Sequence, residues 1–167
     1  WSPDGRWLAF SRYDADYNSD IWIVSADGGE PVNVTRHPEY DMNPVWSADG
    51  SMLAWTTSRH SPQPRSGQTD PYFVYLKRAD DERTKEEWEI WEKTRDKEEP
   101  KKKGDDEEED DEDAEEAAEE KLEVVIDFED IHLRARRLHS EQGRFSVVAV
   151  HPKDGSMISV GGHALKP

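Results

Sequence analysis

Alternating apolar and polar residues, separated by turn sequences, predict a series of short β-strands at the start of the chain. DIWIVSADGG at 20–29 joins β-branched and aromatic residues to an Asp-Gly-Gly turn, a combination typical of a strand and the turn that closes it. PVNVT follows, and then a strand that leads to Pro44-Val45-Trp46. With the alternating run at 7–12, the pattern predicts four short strands in about 45 residues.

A sequence repeat contains the first of these strands. WSPDGRWLAF, which begins at Trp1, returns as WSADGSMLAW at Trp46 with six identities in ten, and a degraded copy, HPKDGSMISV, begins at His151. A period of this length with four strands is typical of a β-propeller blade, a four-stranded antiparallel sheet that packs on its neighbours. The repeat is marked by Trp1, Asp4, Gly5, Trp46, Asp49, Gly50, Asp154 and Gly155.

We therefore predict an all-β fold, a partial β-propeller of about two to three four-stranded blades with a long disordered acidic insertion. Residues 1–79 hold the first blade and most of the second, 80–121 form the charged low-complexity insertion, and 122–167 hold the return strand LEVVIDFE and the start of the next blade. Closed propellers typically have roughly four to eight blades. We expect five tryptophans to pack between blades: Trp1, Trp7, Trp22, Trp46 and Trp55.

Charge and composition then narrow the functional classes. Residues 98–120 contain fifteen acidic residues and three lysines, and the whole chain carries a net charge of −17. Such a charge disfavours nucleic acid as a partner, and no apolar run is long enough to predict a membrane span. Without cysteine, disulfides and thiol catalysis are excluded, but the compartment stays open between cytoplasmic and periplasmic or secreted.

The residues of the repeat also carry a resemblance. WSPDGRWLAFSR, DIWIVSADGGEPVNVTRHPEYDMNPVWSADGSMLAWTT and the acidic stretch that returns as KLEVVIDFEDIHLRARRL resemble the propeller repeats of TolB-like proteins, prolyl oligopeptidase relatives and, above all, tricorn-like serine peptidases. The stretch Asp130-Ile131-His132-Leu133 departs from the usual phrase. The resemblance implies that the propeller filters or channels peptides toward a catalytic domain beyond Pro167, so no catalytic residue is carried over to this chain.

The residues themselves give little sign of catalysis or of a cofactor. No G-x-S-x-G elbow is present, and serines such as Ser2, Ser47 and Ser156 suit turns. The histidines have no metal-site spacing and are interpreted as scattered surface residues: His37, His60, His132, His139, His151 and His163. We therefore predict no catalytic residue and no cofactor in this chain.

One loop offers a weak calcium candidate. Asp14, Asp16, Asn18 and Asp20 occupy positions 1, 3, 5 and 7 of an EF-hand-like loop, and their oxygen atoms suit a hard cation. However, Ser19 stands where the EF-hand needs glycine and Ser25 where it needs glutamate. The same residues also suit an exposed loop between two strands, with Asp20 beginning the second of them.

Two further features could have either a structural or a functional role. In LEVVIDFED, alternation places Asp127 and Glu129 on one face of the strand. They could act as a carboxylate pair in acid–base chemistry. Alternatively, they are solvated carboxylates that form ion pairs with the nearby arginines 134, 136 and 137. Trp88 and Trp91 form an i, i+3 apolar stripe on a charged helical segment. We predict that this stripe packs on the propeller or contacts a peptide or partner protein.

The leading functional hypothesis is a non-catalytic propeller segment of a tricorn-like serine peptidase. Its expected partners are peptides or unfolded polypeptide, the remaining blades and the catalytic domain of a longer polypeptide, of which this chain, beginning within a repeat, would be a fragment. That longer protein is expected to form a homo-oligomer. The alternative is a TolB-like scaffold for protein–protein interaction without enzymatic activity, and a third possibility is a prolyl-peptidase relative.

Overall fold

The computed structural model describes residues 1–60, 68–98, 122–138, 144–150 and 157–162. Within them the chain forms nine strands, two helices and one 3-10 turn at Ile131–Arg134. The helices are α1 (Arg78–Glu82) and α2 (Lys85–Glu98). The strands, in chain order, are β1 (Trp7–Tyr13), β2 (Ser19–Ser25), β3 (Val32–Asn33), β4 (Asp41–Trp46), β5 (Met52–Thr57), β6 (Asp70–Tyr75), β7 (Arg136–Arg137), β8 (Arg144–Val150) and β9 (Met157–Gly162).

The strands form three antiparallel sheets of three, four and two strands, in the orders β1-β2-β3, β4-β5-β6-β7 and β8-β9. Successive sheets follow successive stretches of the chain, as the blades of a propeller do. The predicted all-β fold, a partial propeller, is confirmed.

The second sheet is packed on both of its faces. Leu53 and Trp55 of β5 belong to one core cluster with Ile21 and Ile23 of β2. Met52 and Ala54, which alternate with them, belong to a second cluster with Val147 and Val150 of β8. Each large apolar side chain buried in this way contributes about 1.5–3 kcal/mol, so the middle sheet holds its two neighbours.

The predicted order of strands in the blade is shifted by one. The strand that ends at Trp46 does not complete the first sheet but begins the second, since Asp41 pairs with Thr57 and Trp46 with Leu53. The tight turn at Asp49-Gly50 joins β4 to β5 as a hairpin and so decides this pairing. The longer connection from β3 to β4 does not lead to pairing between these two strands, which lie in different sheets.

The predicted return strand over 122–129 is also corrected. No ladder forms there, and the fourth strand of the second sheet is β7, with Arg137 opposite Tyr72. The backbone of the return segment instead bonds to turns and side chains: Val124 N donates to Asp4 Oδ2 (2.8 Å), and Asp127 N donates to the carbonyl of Leu76 (2.9 Å). Its alternation is nevertheless as predicted, with Val124 buried and Asp127 exposed.

The five repeat tryptophans differ in burial. Trp55 is fully buried, and Trp7 and Trp46 are partly buried against the same core cluster. Trp22 is half-buried beneath the guanidinium of Arg12, 4.9 Å from the ring centroid. The expectation for Trp1 is wrong, because its side chain is 68% exposed. Trp46, its counterpart, is held in a ladder, whereas Trp1 belongs to no strand.

The chain divides into two compact units, Trp1–Asp81 with Leu122–Pro167, and Glu82–Lys121. The boundaries proposed at 79/80 and 121/122 stay a prediction. The predicted repeat residues Asp154 and Gly155 lie outside the described residues, as does the acidic tract from residue 99 to residue 121. Across the described part of the chain, no helix is long and apolar enough to cross a membrane.

The repeated WSxDG sequence builds the same turn twice. Met52 N donates to Ser47 Oγ (2.8 Å) and Gly50 N to the carbonyl of Ser47 (3.0 Å). The first copy repeats both bonds with Ser2 as the acceptor. Each glycine has a positive φ, 72° at Gly5 and 69° at Gly50, a conformation that side chains disfavour. Only Gly50 is also crowded, because a Cβ there would overlap Val124 Cγ2.

This difference gives a matched pair of substitutions. We expect Gly5→Ala to lower the free energy of unfolding by about 1–2 kcal/mol through backbone strain alone, and Gly50→Ala by about a further 1–3 kcal/mol through overpacking against Val124. Urea denaturation measures both.

Adding Val124→Ala should recover part of the loss in Gly50→Ala and none of it in Gly5→Ala. Equal losses in the two glycine variants, or additivity with Val124→Ala in both, would contradict the packing of the return segment on this turn.

The carboxylate of Asp4 makes the return segment sensitive to pH. Partial burial by itself would raise the pKa of Asp4, but hydrogen bonds from Ser2, Val124 and Arg6 outweigh it and hold this pKa below its ordinary value. A carboxyl group of this kind stabilises the fold above its unfolded-state pKa, about 3.9, and the contribution disappears as the pH falls through the folded-state pKa.

We therefore expect Asp4→Asn to be less stable than the wild type at pH 7, and the difference to shrink below about pH 3.9. Urea denaturation of both proteins over a pH series measures it. A difference that stays constant down to the acid limit of folding would show that Asp4 does not act through its charge.

Candidate functional site

Two buried carboxylates lie at one end of the second sheet, on either side of Thr57. Asp41 begins β4, Asp70 begins β6, and both pair with Thr57 at the end of β5. The side chains of Asp41 and Asp70 are 0% and 1% exposed. Buried carboxylates are costly unless they are paired and hydrogen-bonded, so their partners define this end of the sheet.

Asp41 is enclosed by an aromatic and a basic side chain. Its Oδ1 accepts a hydrogen bond from Trp55 Nε1 (3.1 Å), and its Oδ2 forms an ion pair with Arg59 at 2.8 Å. Only 10% of the Arg59 side chain is exposed, and its guanidinium lies 5.0 Å from the ring centroid of Tyr72. Burial, tempered by the nearby arginines 59 and 137, raises the pKa of Tyr72 and keeps its hydroxyl protonated.

Asp70 has a different set of partners. Its Oδ1 binds Arg137 of β7 at 2.8 Å, and its Oδ2 lies 3.4 Å from His60 Nδ1. Among the described residues, no hydrogen bond reaches this second oxygen. His60 stacks on Tyr72, with 6.0 Å between the ring centroids, and is about half exposed. The network thus runs from the buried Asp70 to a ring at the surface.

The first sheet has a counterpart to Asp70. Asp20 lies opposite Arg12, and Asp70 lies opposite Thr57, which stands 45 residues after Arg12. Its oxygens accept hydrogen bonds from Asn33 Nδ2 (2.9 Å), Thr35 Oγ1 (2.8 Å) and His37 N (3.1 Å). A buried aspartate near the start of β2 or β6 therefore bonds to a side chain of the next strand of its sheet, Asn33 of β3 or Arg137 of β7.

These bonds bear on the calcium candidate. Asp14 Oδ1 caps its own loop by accepting from the backbone N–H groups of Asp16 and Asn18 (both 2.9 Å), while Asn18 Nδ2 donates to the carbonyl of His37 (2.6 Å). With Asp20 engaged in the sheet, these residues do not converge. Over the described ranges, no group of three or more acidic, histidine or cysteine side chains could hold a metal ion.

Exposed tyrosines surround this end of the two sheets. Tyr13 ends β1, Tyr17 lies in the loop to β2, and Tyr40 immediately precedes Asp41; their exposed fractions are 59%, 78% and 37%. The rings of Tyr13 and Tyr40 meet edge to face at 6.4 Å. Tyr17 adopts a left-handed φ of 62°, a conformation uncommon for residues other than glycine. We call Tyr13, Tyr17 and Tyr40 the tyrosine rim.

The tyrosine rim is a surface suited to binding. Tyrosine combines a large apolar ring with a hydroxyl that can donate or accept a hydrogen bond, and it is enriched at protein interfaces for that reason. The network beneath fixes the strand ends from which these loops leave: Ser19 Oγ donates to the carbonyl of Asp41, and the backbone of Ser58 bonds to that of Tyr40 (2.9 Å). The rings are thus presented from a rigid base.

Sequence reasoning missed the network, although one signal could have found part of it. Asp20 and Asp70 each precede an aromatic residue by two positions, in DIW and DPY. A charged residue repeated at the start of an apolar strand indicates a buried, bonded carboxylate. Asp41 has no such signal, because its partners Trp55 and Arg59 are set by the fold.

The carboxylate pair at 127 and 129 lies at the surface, not in a cleft. Asp127 Oδ2 accepts from the backbone N–H of Arg78 (2.8 Å), and Glu129 lies 3.7 Å from the guanidinium of the same residue. The arginines expected to pair with these acids do not bind their carboxylates: Arg134 donates to the backbone carbonyls of Tyr75 and of Asp127 itself. Arg136 pairs with Asp81, and Arg137 with Asp70.

Trp88 and Trp91 lie on α2, in the second compact unit. Their rings meet nearly at right angles, with 5.2 Å between the centroids. The helical segment predicted there is confirmed. Of the six histidines, His37, His60 and His132 fall in the described part of the chain, and the pKa of His37 is lowered by burial and by Arg59.

Known proteins resemble this chain in structure over most of its length and in sequence over about a third of it. A scan against protein-family models finds no match. Among solved structures, the crystal structure of the tricorn protease matches 90% of this chain and 13% of its own, with a TM-score of 0.51 and 14% identity, which shows the fold alone.

Sequence relatives match shorter stretches. The chain is 40% identical over 58 residues to the uncharacterized peptidase YuxL of Bacillus subtilis, covering 35% of this chain and 9% of that protein. It is 33% identical over 61 residues to the Tol-Pal system protein TolB of Desulfosudis oleivorans, covering 36% of this chain and 13% of TolB. The resemblance to tricorn-like and TolB-like propellers is confirmed. The chain thus spans only a small part of each of these relatives.

The ion pairs Arg59–Asp41 and Arg6–Glu123 differ in burial, so substitutions in them test the buried carboxylate network. Replacing Arg59 with Met leaves the buried carboxylate of Asp41 without its counter-charge, and we expect a loss of about 3–5 kcal/mol in the free energy of unfolding.

Arg6→Met is the control, because the Arg6–Glu123 pair is exposed on both sides and should be nearly neutral. Urea denaturation of the two variants compares them. A small effect of Arg59→Met, similar to that of Arg6→Met, would contradict the role of Asp41 as a buried charge.

Proposed function

We propose that this chain is a non-catalytic β-propeller segment that binds extended peptides and directs them to a serine peptidase domain elsewhere in a longer protein. The observation that carries the proposal is the tyrosine rim, which rises from loops fixed by the buried carboxylate network. Aromatic rings on rigid loops bind a peptide with little loss of side-chain entropy. A propeller with such a rim can admit or orient a chain without reacting with it.

The peptidase context is supported by sequence. The stretch that matches YuxL, which is named as an uncharacterized peptidase, is 40% identical to it. The repeat and the phrase VVIDFED after an acidic stretch also resemble tricorn-like propellers. In this proposal the catalytic nucleophile, its base and its oxyanion donors lie outside residues 1–167, and the propeller segment selects the substrate.

A TolB-like scaffold is the second candidate, favoured by the 33% identity to TolB over 61 residues. The tyrosine rim would then bind a partner protein and no peptide would be cleaved. The two candidates differ in whether the natural protein contains a reactive serine. A fluorophosphonate probe that labels the full-length protein outside residues 1–167 supports the first candidate, and the absence of labelling and of peptide cleavage supports the second.

Removal of the tyrosine rim tests peptide binding directly. In the full-length protein we expect the triple variant Tyr13→Ala, Tyr17→Ala, Tyr40→Ala to lower kcat/KM for peptides of ten or more residues by about tenfold, which corresponds to about 1.4 kcal/mol. Cleavage of a tripeptide amide, too short to reach both the rim and a distant active site, should be unchanged.

Leu133→Ala is the control, since Leu133 is an exposed apolar residue (71%) in the 3-10 turn, outside the rim. Equal losses with long and short substrates would mean that the rim acts on the active site and not on binding. Unchanged cleavage of both would overturn the proposal.

A further inference from the structure

The tryptophan pair on α2 has a geometry that the peptide-channelling proposal does not use. The helix begins with a capping box, in which Thr84 N donates to Glu87 Oε2 (2.7 Å) and Glu87 N to Thr84 Oγ1 (3.3 Å). These bonds lower the pKa of Glu87, so this carboxylate stays charged. The cap fixes the first turn, from which Trp88 and Trp91 project one turn apart.

The two rings form a corner that holds a cation. They stand at 86° to each other, and the guanidinium carbon of Arg83 lies 4.4 Å from the Trp88 centroid and 5.2 Å from that of Trp91. Both distances fall within the roughly 6 Å range of a cation–π contact, for which tryptophan is the strongest partner and arginine the commonest cation. A planar cation therefore fits this corner, and the chain's own arginine occupies it.

The charge around the corner favours cations of another molecule as well. Glu86, Glu87 and Glu89 are exposed on the same helix. The chain as a whole carries a net charge of −17. Negative charge of this density raises the local concentration of a basic ligand and makes its binding depend on salt.

We propose that the Trp88–Trp91 corner binds an arginine side chain of a basic, extended polypeptide, and that Arg83 is an internal ligand which the incoming arginine displaces. The exposed Glu86, Glu87 and Glu89 of the same helix attract the remaining basic side chains of that polypeptide. This second site lies in a different compact unit from the tyrosine rim, and its test does not depend on peptidase activity, so either proposal can fail without the other.

The internal ligand sets the affinity of the corner. A group tethered to the same chain competes at an effective concentration in the millimolar range, so an external arginine binds weakly on its own and gains from neighbouring charges. Arg83 therefore keeps single basic residues out and admits a segment that carries several. Its removal should tighten binding by more than the loss of one positive charge alone would give.

The binding of a fluorescein-labelled nonapeptide with four arginines to the 167-residue chain, followed by fluorescence anisotropy, tests the proposal. We expect Arg83→Ala to tighten binding about three- to tenfold. Lys85→Ala makes the same change in charge on an exposed neighbour and should give only the smaller electrostatic gain. Trp88→Ala and Trp91→Ala should weaken binding about tenfold, while Trp88→Phe, which keeps an aromatic face, should retain most of it.

Ile90→Ala controls for the loss of apolar surface on α2, since Ile90 is 65% exposed, and circular dichroism verifies that each variant keeps its helix. Equal gains in Arg83→Ala and Lys85→Ala would overturn the role of Arg83. Binding that is unchanged in both tryptophan-to-alanine variants, and equal for arginine and lysine peptides, would overturn the site and assign the affinity to acidic charge alone.

Discussion

The burial of β5 on both faces is the constraint on which the rest of the structure depends. Its six residues, MLAWTT, are all buried, so this strand needs a sheet on either side of it. Leu53 and Trp55 meet the first sheet, while Met52 and Ala54 meet the third. The second sheet is therefore stable only in a stack, and the nearest-neighbour packing of a propeller follows from this one strand.

A second constraint is the placement of charged side chains. A sheet that is buried on both faces has few positions for them other than the ends of its strands. Asp41 and Asp70 carry charge at one end of the second sheet, and Asp20 does so in the first. Each is held by a donor from another strand, namely Trp55, Arg137 and Asn33 respectively. Such bonds lock the register of the strands, and the loops that leave this end inherit their rigidity. Binding residues on these loops thus gain precision from an interaction that was needed for folding.

The sequence predicted the blades well and their boundaries poorly. The WSxDG repeat predicts two turns that the structure builds with the same serine bonds, because all the residues of each turn are local. The pairing of Asp41 with Thr57 and the placing of β7 at Arg136–Arg137 depend on contacts between distant segments, and alternation alone does not reveal them. The segment 122–129 alternates like a strand, yet its hydrogen bonds go to turns. For the same reason, the partners of Asp41 could not be read from the sequence.

The hydrogen bond that holds the return segment to the end of β6 determines how freely the length and sequence of the insertion can change. Asp127 N bonds to the carbonyl of Leu76, where the chain leaves β6, so the two ends of the intervening chain are already joined. The free-energy cost of closing such a loop, which comes from lost chain entropy, rises only slowly with its length, by about 0.6 kcal/mol for each doubling. Lengthening, shortening or exchanging residues 82–121, which leaves the packed Val124 in place, therefore costs the propeller little. The connection after β6 is therefore a natural graft point, at which evolution can exchange one accessory element for another while the sheets stay unchanged.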